Sequence, residues 1–414
     1  MLDYIRTVAD RFKVRQHLRL GHELLQAEWD EKSERWEIRT SEGSFSAQVL
    51  ISATGVLSDG FIPNIVGLNE FGGQFWHSSQ WRHDIALDDK RVAVVGTGAS
   101  AIQFAPQIQP VAARMTVFQR TPPWIIPRND RVYTAKEKRL FADAPAAQRL
   151  DRLRLYLQRE GLAFLQVHPG LMAPLRRVAL RHLNSQVSDP TLRVKLTPNY
   201  AIGCKRILVS NDWYPALTKD NVELVTDTID RITPGGIRTA GGTEYEVDHI
   251  IFGTGFQTTT LPVADRIIGS GARTLAQRWE RGMRAHRNTT VSGFPNLFLI
   301  NGPNTFSGYT SVIYMIESQV NYVLAALREM RSRGAQVMEV TESAEAHYDA
   351  WLQHRALGTV WTAGGCDSWY LDAHGRNRWL WPGQSFSYRR LTRSFDVKHY
   401  RLASTLRVRS GSHP

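Results

Sequence analysis

The run Arg91-Val92-Ala93-Val94-Val95-Gly96-Thr97-Gly98-Ala99-Ser100-Ala101 carries the sharpest chemistry in the sequence. A β-branched strand runs into G-x-G-x-x-A and then into a helix through Ile108. Gly96 permits the tight turn, Gly98 lets a pyrophosphate approach the backbone, and small Ala101 lets helix pack on strand, with phosphates at the helix N-terminus. Gln103 follows in the first helical turns. The strand Met115 to Gln119 completes a βαβ unit, and its end reads Gln119-Arg120-Thr121 where an acid would bind the ribose hydroxyl of NAD. Arg120 favours the extra phosphate of NADP, the alternative being an ordinary surface charge.

Around this unit the pattern is α/β. Residues 2 to 12 have helical spacing, Arg35 to Ser41 alternates like a strand before a hairpin at Glu42-Gly43, and Val49 to Ser52 reads as a buried strand ending in Ala53-Thr54-Gly55. Ala135 to Asn184 is helical, with breaks near Pro169-Gly170 and again at Pro190. Short strands return at Val222 to Val225, at His249 to Phe252 before Gly253-Thr254-Gly255, and at Leu297 to Ile300 before Asn301-Gly302-Pro303-Asn304. A helix is expected from Ser311 through Met330. The aromatic-rich stretch from Trp351 to Tyr388 has no assignable place.

Composition narrows the classes. The 414 residues, 42% of them hydrophobic, suffice for two or three domains. The net charge of +12 comes from 51 Lys and Arg scattered among 39 acids, without the dense basic run of a nucleic-acid binder. No stretch has the length and apolarity of a membrane helix, and a cytoplasmic location is expected. The only cysteines, Cys204 and Cys366, lie far apart without a C-x-x-C pair, which argues against a disulfide framework, a zinc site or a dithiol redox centre. Redox chemistry would have to come from a cofactor.

Phe71-x-Gly73-x-x-x-His77-x-x-x-Trp81 resembles the F-x-G-x-x-x-H-x-x-x-W fingerprint of Baeyer-Villiger monooxygenases, departing only beyond Trp81, where Arg82 stands for the usual Pro or Asp. The resemblance continues through GTGASAIQ at 96–103, VFQRTPPW at 117–124, GCKR at 203–206, FGTGF at 252–256 and NGPNT at 301–305. It implies a two-dinucleotide-binding flavoprotein using FAD and NADP, with residues 1–82 and 251–414 as the FAD domain. Residues 83–250 become the NADP domain, with a helical insertion at about 130–196. Full members open with a further βαβ unit, so the FAD domain is expected to lack that first unit here.

The resemblance also assigns roles. Gly96, Thr97, Gly98, Ala99, Ser100, Ala101, Gln103, Arg120, Thr121 and Lys205 would hold NADP, while Thr254, Gly255, Gly302 and Asn304 would meet the flavin cofactor. Phe71, Gly73, His77 and Trp81 would orient the domains. Arg206 would be catalytic, stabilising the flavin peroxide anion formed with O2 and the charge that develops when it attacks a ketone or aldehyde. Two rival readings are a flavin monooxygenase acting on nitrogen or sulfur, and an inactive NADP-binding fragment.

Overall fold

A computed structural model describes residues 2–258 and 261–404. Its organising element is a five-stranded parallel sheet in the order Val222–Val225, Arg114–Phe118, Arg91–Val95, His249–Phe252, Gln74–His77. The inner strands are Val- and Ile-rich because a parallel sheet is covered on both faces. Val92, Val94, Val117 and Ile251 are fully buried under the helices Ala101–Ile108 and Trp213–Leu217. Ala93, Ile250 and Phe252 point to the other face, covered by an antiparallel meander of Ile229–Thr233, Gly236–Thr239 and Glu244–Glu246. Gln74–His77 precedes the boundary expected at 82/83, yet it is hydrogen-bonded into this sheet beside His249–Phe252.

The remaining elements build a second core. Leu24–Asp30 pairs antiparallel with Arg35–Thr40, which turns into Gly43–Ala47, and parallel with Ile267–Ile268. Leu50–Ser52 pairs parallel with Leu297–Leu299, but Ile51 is 47% exposed, so the strand expected to be buried is covered on one face only. The helix expected from Ser311 runs Val312–Ser332. Trp361, Tyr370 and Trp379, from the aromatic stretch without an assigned place, enter the main core.

The helical region contains Ala135–Asp143, Pro145–Val167, Ala173–Gln186 and Pro190–Leu196. Pro190 opens the last of these, behind Asp189, whose carboxylate accepts from the Thr191 and Leu192 amides. Against the expectation of no disulfide framework, the two cysteines form one bridge: Cys204 and Cys366 are bonded, with their Cα atoms 6.1 Å apart. Spacing rules detect local pairs, and this one is created by tertiary packing across 162 residues.

Candidate active site

The glycine turn sits at the carboxyl end of the central strand. Gly96 has φ +105°, and a Cβ there would lie 2.6 Å from the Gly253 carbonyl oxygen, so two strand ends touch at a point where only glycine fits. The Thr97 hydroxyl donates to the Thr121 carbonyl at 3.1 Å, tying the turn to the next strand end. Gly98 is exposed, and the first bond of the helix runs from Ile102 N–H to the Gly98 carbonyl. The amides of Ala99, Ser100 and Ala101 ahead of it are therefore available to an anion. Gln103 Nε2 donates to the Ala99 carbonyl at 2.6 Å and steadies the turn rather than reaching outward.

Arg120 and Lys205 are brought together by a two-residue parallel pairing, Ile125–Ile126 with Leu208–Val209. The Tyr200 ring supplies the floor. Its hydroxyl donates to the Pro122 carbonyl, its own carbonyl accepts from Trp124 Nε1, and Lys205 Nζ stands 5.3 Å from its centroid. Burial lowers the Lys205 pKa, the Arg120 charge lowers it further, and Asp367 opposes both. Two cations held in each other's field, with Thr121 beside Arg120 bonded to the glycine turn, fit a phosphate-rich dinucleotide.

Arg206 is exposed. Its charge is felt by the partly buried Tyr309 and the buried Tyr370, whose pKa values are raised by desolvation and pulled partly back by Arg206. The Tyr309 hydroxyl accepts from the Ile207 amide at 2.9 Å, fixing the residue after Arg206. Sequence reasoning missed both tyrosines, since neither belongs to a spaced motif.

His77 is 2% exposed at the end of its strand. Its Nδ1 is 2.7 Å from the Ser79 hydroxyl, Phe256 meets its ring edge-on at 5.4 Å, and a Cβ on Gly60 would fall 2.3 Å from Nδ1. Two chain segments cross above this ring. Phe61 N–H donates to the Gly255 carbonyl, and the Thr254 hydroxyl donates to the Phe61 carbonyl. Burial lowers the His77 pKa, and the nearby Gly255 backbone offsets part of that. Gly73 is equally confined, because a Cβ would meet the Asp248 carbonyl oxygen at 2.2 Å and the Phe71 ring at 2.7 Å. Trp81 packs on Trp76 and on Phe104, which belongs to the helix behind the glycine turn.

At Gly55 and Gly255 the backbone is left-handed, and no described atom lies within 4 Å of where a Cβ would stand. Both leave room for a flat cofactor. In the Asn301 to Thr305 loop, Asn301 N–H donates to Gln319 Oε1, while the Thr305 hydroxyl donates to the Gly302 carbonyl. Asn304 is 3% exposed and spends its amide on the Asn377 and Leu380 carbonyls, so it shapes the loop from within. A separate cavity of about 670 Å³, lined by His286, Arg287, His347, Tyr348, Trp351 and His399 among others, contains none of these residues.

Comparison with known proteins agrees with this geometry. A model of flavin-binding monooxygenase-like proteins matches residues 1–138. A Baeyer-Villiger monooxygenase of Streptomyces coelicolor is 45% identical over 96% of this chain and 77% of its own length; one from Pseudomonas aeruginosa is 43% identical over 97% and 77%. Among solved structures, a steroid monooxygenase bound to NADP superposes with TM-score 0.83 at 30% identity, over 97% of this chain and 84% of its own. The cyclohexanone monooxygenase of Rhodococcus sp. Phi1 bound to NADP+ gives 0.86 at 25%, over 98% and 84%. Among the described residues no helix is long and apolar enough to cross a membrane. With the glycine turn, the paired cations and relatives of this identity along nearly its whole length, this chain belongs to the Baeyer-Villiger monooxygenases, a family of FAD- and NADPH-dependent flavoenzymes.

Proposed function

We propose that this chain uses NADPH and O2 to convert a small ketone or aldehyde into an ester or lactone, in the cytoplasm, with Arg206 as its catalytic cation. FAD, when bound, would take the hydride and activate oxygen. The chain's own residues supply position and charge. The amides of Ala99 to Ala101 and the bare backbone of Gly98 receive the NADP pyrophosphate, and Thr97 and Thr121 hold that turn against the neighbouring strand end. Arg120 and Lys205 take the ribose phosphate. Thr254, Gly255, Gly302 and the loop shaped by Asn304 border the flavin, while Phe71, Gly73, His77 and Trp81 set the crossing between the FAD half (1–82 and 251–414) and the NADP half (83–250, helical insertion at about 130–196).

Arg206 has the properties such a reaction needs. It is an exposed, planar guanidinium whose neighbour Ile207 is anchored by the partly buried Tyr309. A cation fixed beside the reacting oxygen stabilises the negative charge that develops during attack on a carbonyl. Oxidation of a soft nitrogen or sulfur atom gains nothing from such a group, so Arg206 favours carbonyl substrates.

The observation that carries the reading is Lys205 held in the field of Arg120, with Arg206 next in the chain. The test is to supply the FAD-loaded enzyme with NADPH and a panel of cyclic, linear and aryl ketones and identify products by mass. Esters or lactones one oxygen heavier than the ketone are expected. Consumption of NADPH without such a product across the panel, or exclusive oxidation of amines and sulfides, would reject it.

A further inference from the structure

We propose that the Cys204–Cys366 disulfide is a reversible clamp that seats Lys205 against Arg120, so that the thiol state of this pair sets the preference for NADPH over NADH. The inference rests on the assignment of Arg120 and Lys205 to the ribose phosphate. The bridge joins the turn carrying Lys205 and Arg206 to a segment 162 residues away. At the junction the Ala201 amide donates to the Gly364 carbonyl at 3.0 Å, and Gly364 lies so close that a Cβ would stand 2.6 Å from Cys204 Cβ. Asp367, adjacent to Cys366, directs its charge at Lys205, and Tyr370 feels Arg206. Both ends of the bridge thus carry groups that set the field at the two cations.

The two sulfurs differ in access. Cys204 is fully buried, whereas Cys366 is partly exposed. A thiolate can attack Cys366 Sγ; the bridge breaks, Cys204 leaves as thiolate and takes a proton, and the second thiol of a dithiol then releases Cys366. The dithiol gives up the two electrons that reduce the bridge and is itself left as a disulfide. In a reducing compartment a disulfide beside a ligand site is more often a switch than a staple. Opening it frees the 203–206 turn while leaving the glycine turn and its pyrophosphate contacts untouched. Selectivity should therefore fall while NADH binding is kept.

The test uses the full chain purified without reductant. Free thiols are counted in denaturant, and dissociation constants for NADPH and NADH are titrated before and after dithiothreitol, and again after reoxidation. The expectation is no free thiol at first, then two, with the NADPH preference falling about tenfold, the value of one charge-assisted contact, and recovering on reoxidation. Cys366→Ser should show the low preference with or without dithiothreitol; if it does not fold, the reduced native chain gives the same reading. An unchanged preference with both thiols freed overturns the clamp, as do two free thiols that resist oxidation. Arg120→Ala separates the layers: if it abolishes the preference and reduction does not, only the clamp fails. If it leaves the preference unchanged, the phosphate assignment falls and takes the clamp with it.

Discussion

Arg206 is solvent-facing, so its side chain can be removed without opening a cavity. Arg206→Ala should leave the fold and NADPH-driven flavin reduction intact while ester formation drops on the order of a hundredfold or more, the usual cost of losing a transition-state charge donor. NADPH consumption would then end in hydrogen peroxide, and product and peroxide measured side by side would check it; parental ester formation would remove Arg206 from the chemistry. Arg120 is also exposed. Arg120→Ala should weaken NADPH binding about tenfold and leave NADH unchanged, since only the extra phosphate is lost. These residues were legible because each stands at a fixed offset from a glycine turn or in a short motif. Tyr200, Tyr309 and Tyr370 were not, because a supporting ring is defined by what it touches and carries no spacing.

At the scale of elements, the unit from Arg91 to Phe118 could be read directly: β-branched strand, glycine turn and apolar-faced helix follow one another without a gap. The helix Leu2–Arg11 and the strand Val222–Val225 were equally plain. What escaped was the sharing of strands. His249–Phe252 and Gln74–His77 enter the same sheet from opposite sides of the NADP segment, and nothing local to either run says which sheet will accept it. Leu24–Asp30 and the meander from Ile229 to Glu246 were passed over, because short half-exposed strands alternate weakly. The meeting of strand ends suggests its own test. Gly96→Ala would place a methyl group 2.6 Å from the Gly253 carbonyl in a left-handed backbone, with no flexible side chain to give way. Overpacking of this kind costs about 1–3 kcal/mol, and NADPH binding should fall together with the melting temperature. A variant with parental stability and affinity would mean that the two strand ends can separate freely.

Across the whole molecule, the described C-terminal segment is tied to the loop proposed to border the flavin by a chain of buried polar contacts. Asp396 accepts from Tyr322 and lies 3.1 Å from His286 Nε2 and 2.9 Å from the Arg287 guanidinium. The next residue, Asn288, is held by the Tyr348 hydroxyl at 2.7 Å and donates to the Asn304 carbonyl at 2.6 Å. Burial alone would raise the Asp396 pKa, but His286, Tyr322 and Arg287 together hold it well below the ordinary aspartate value of 3.8. The folded chain therefore binds fewer protons at this site than the unfolded chain. Its stabilisation is complete above about pH 4 and is lost as pH falls through the window below that value. Asp396→Asn keeps the shape but leaves Arg287 without its partner, at a cost of about 3 kcal/mol for a mostly buried pair. Urea unfolding at neutral pH should show that loss, and the dependence of stability on pH below 4 should become shallower in the variant. Because Asn288 sits between this network and Asn304, the ketone oxidation rate should fall as well, while the NADPH dissociation constant holds. A variant with unchanged stability and an unchanged acid limb would show that Asp396 is not the tie between the C-terminal segment and the loop.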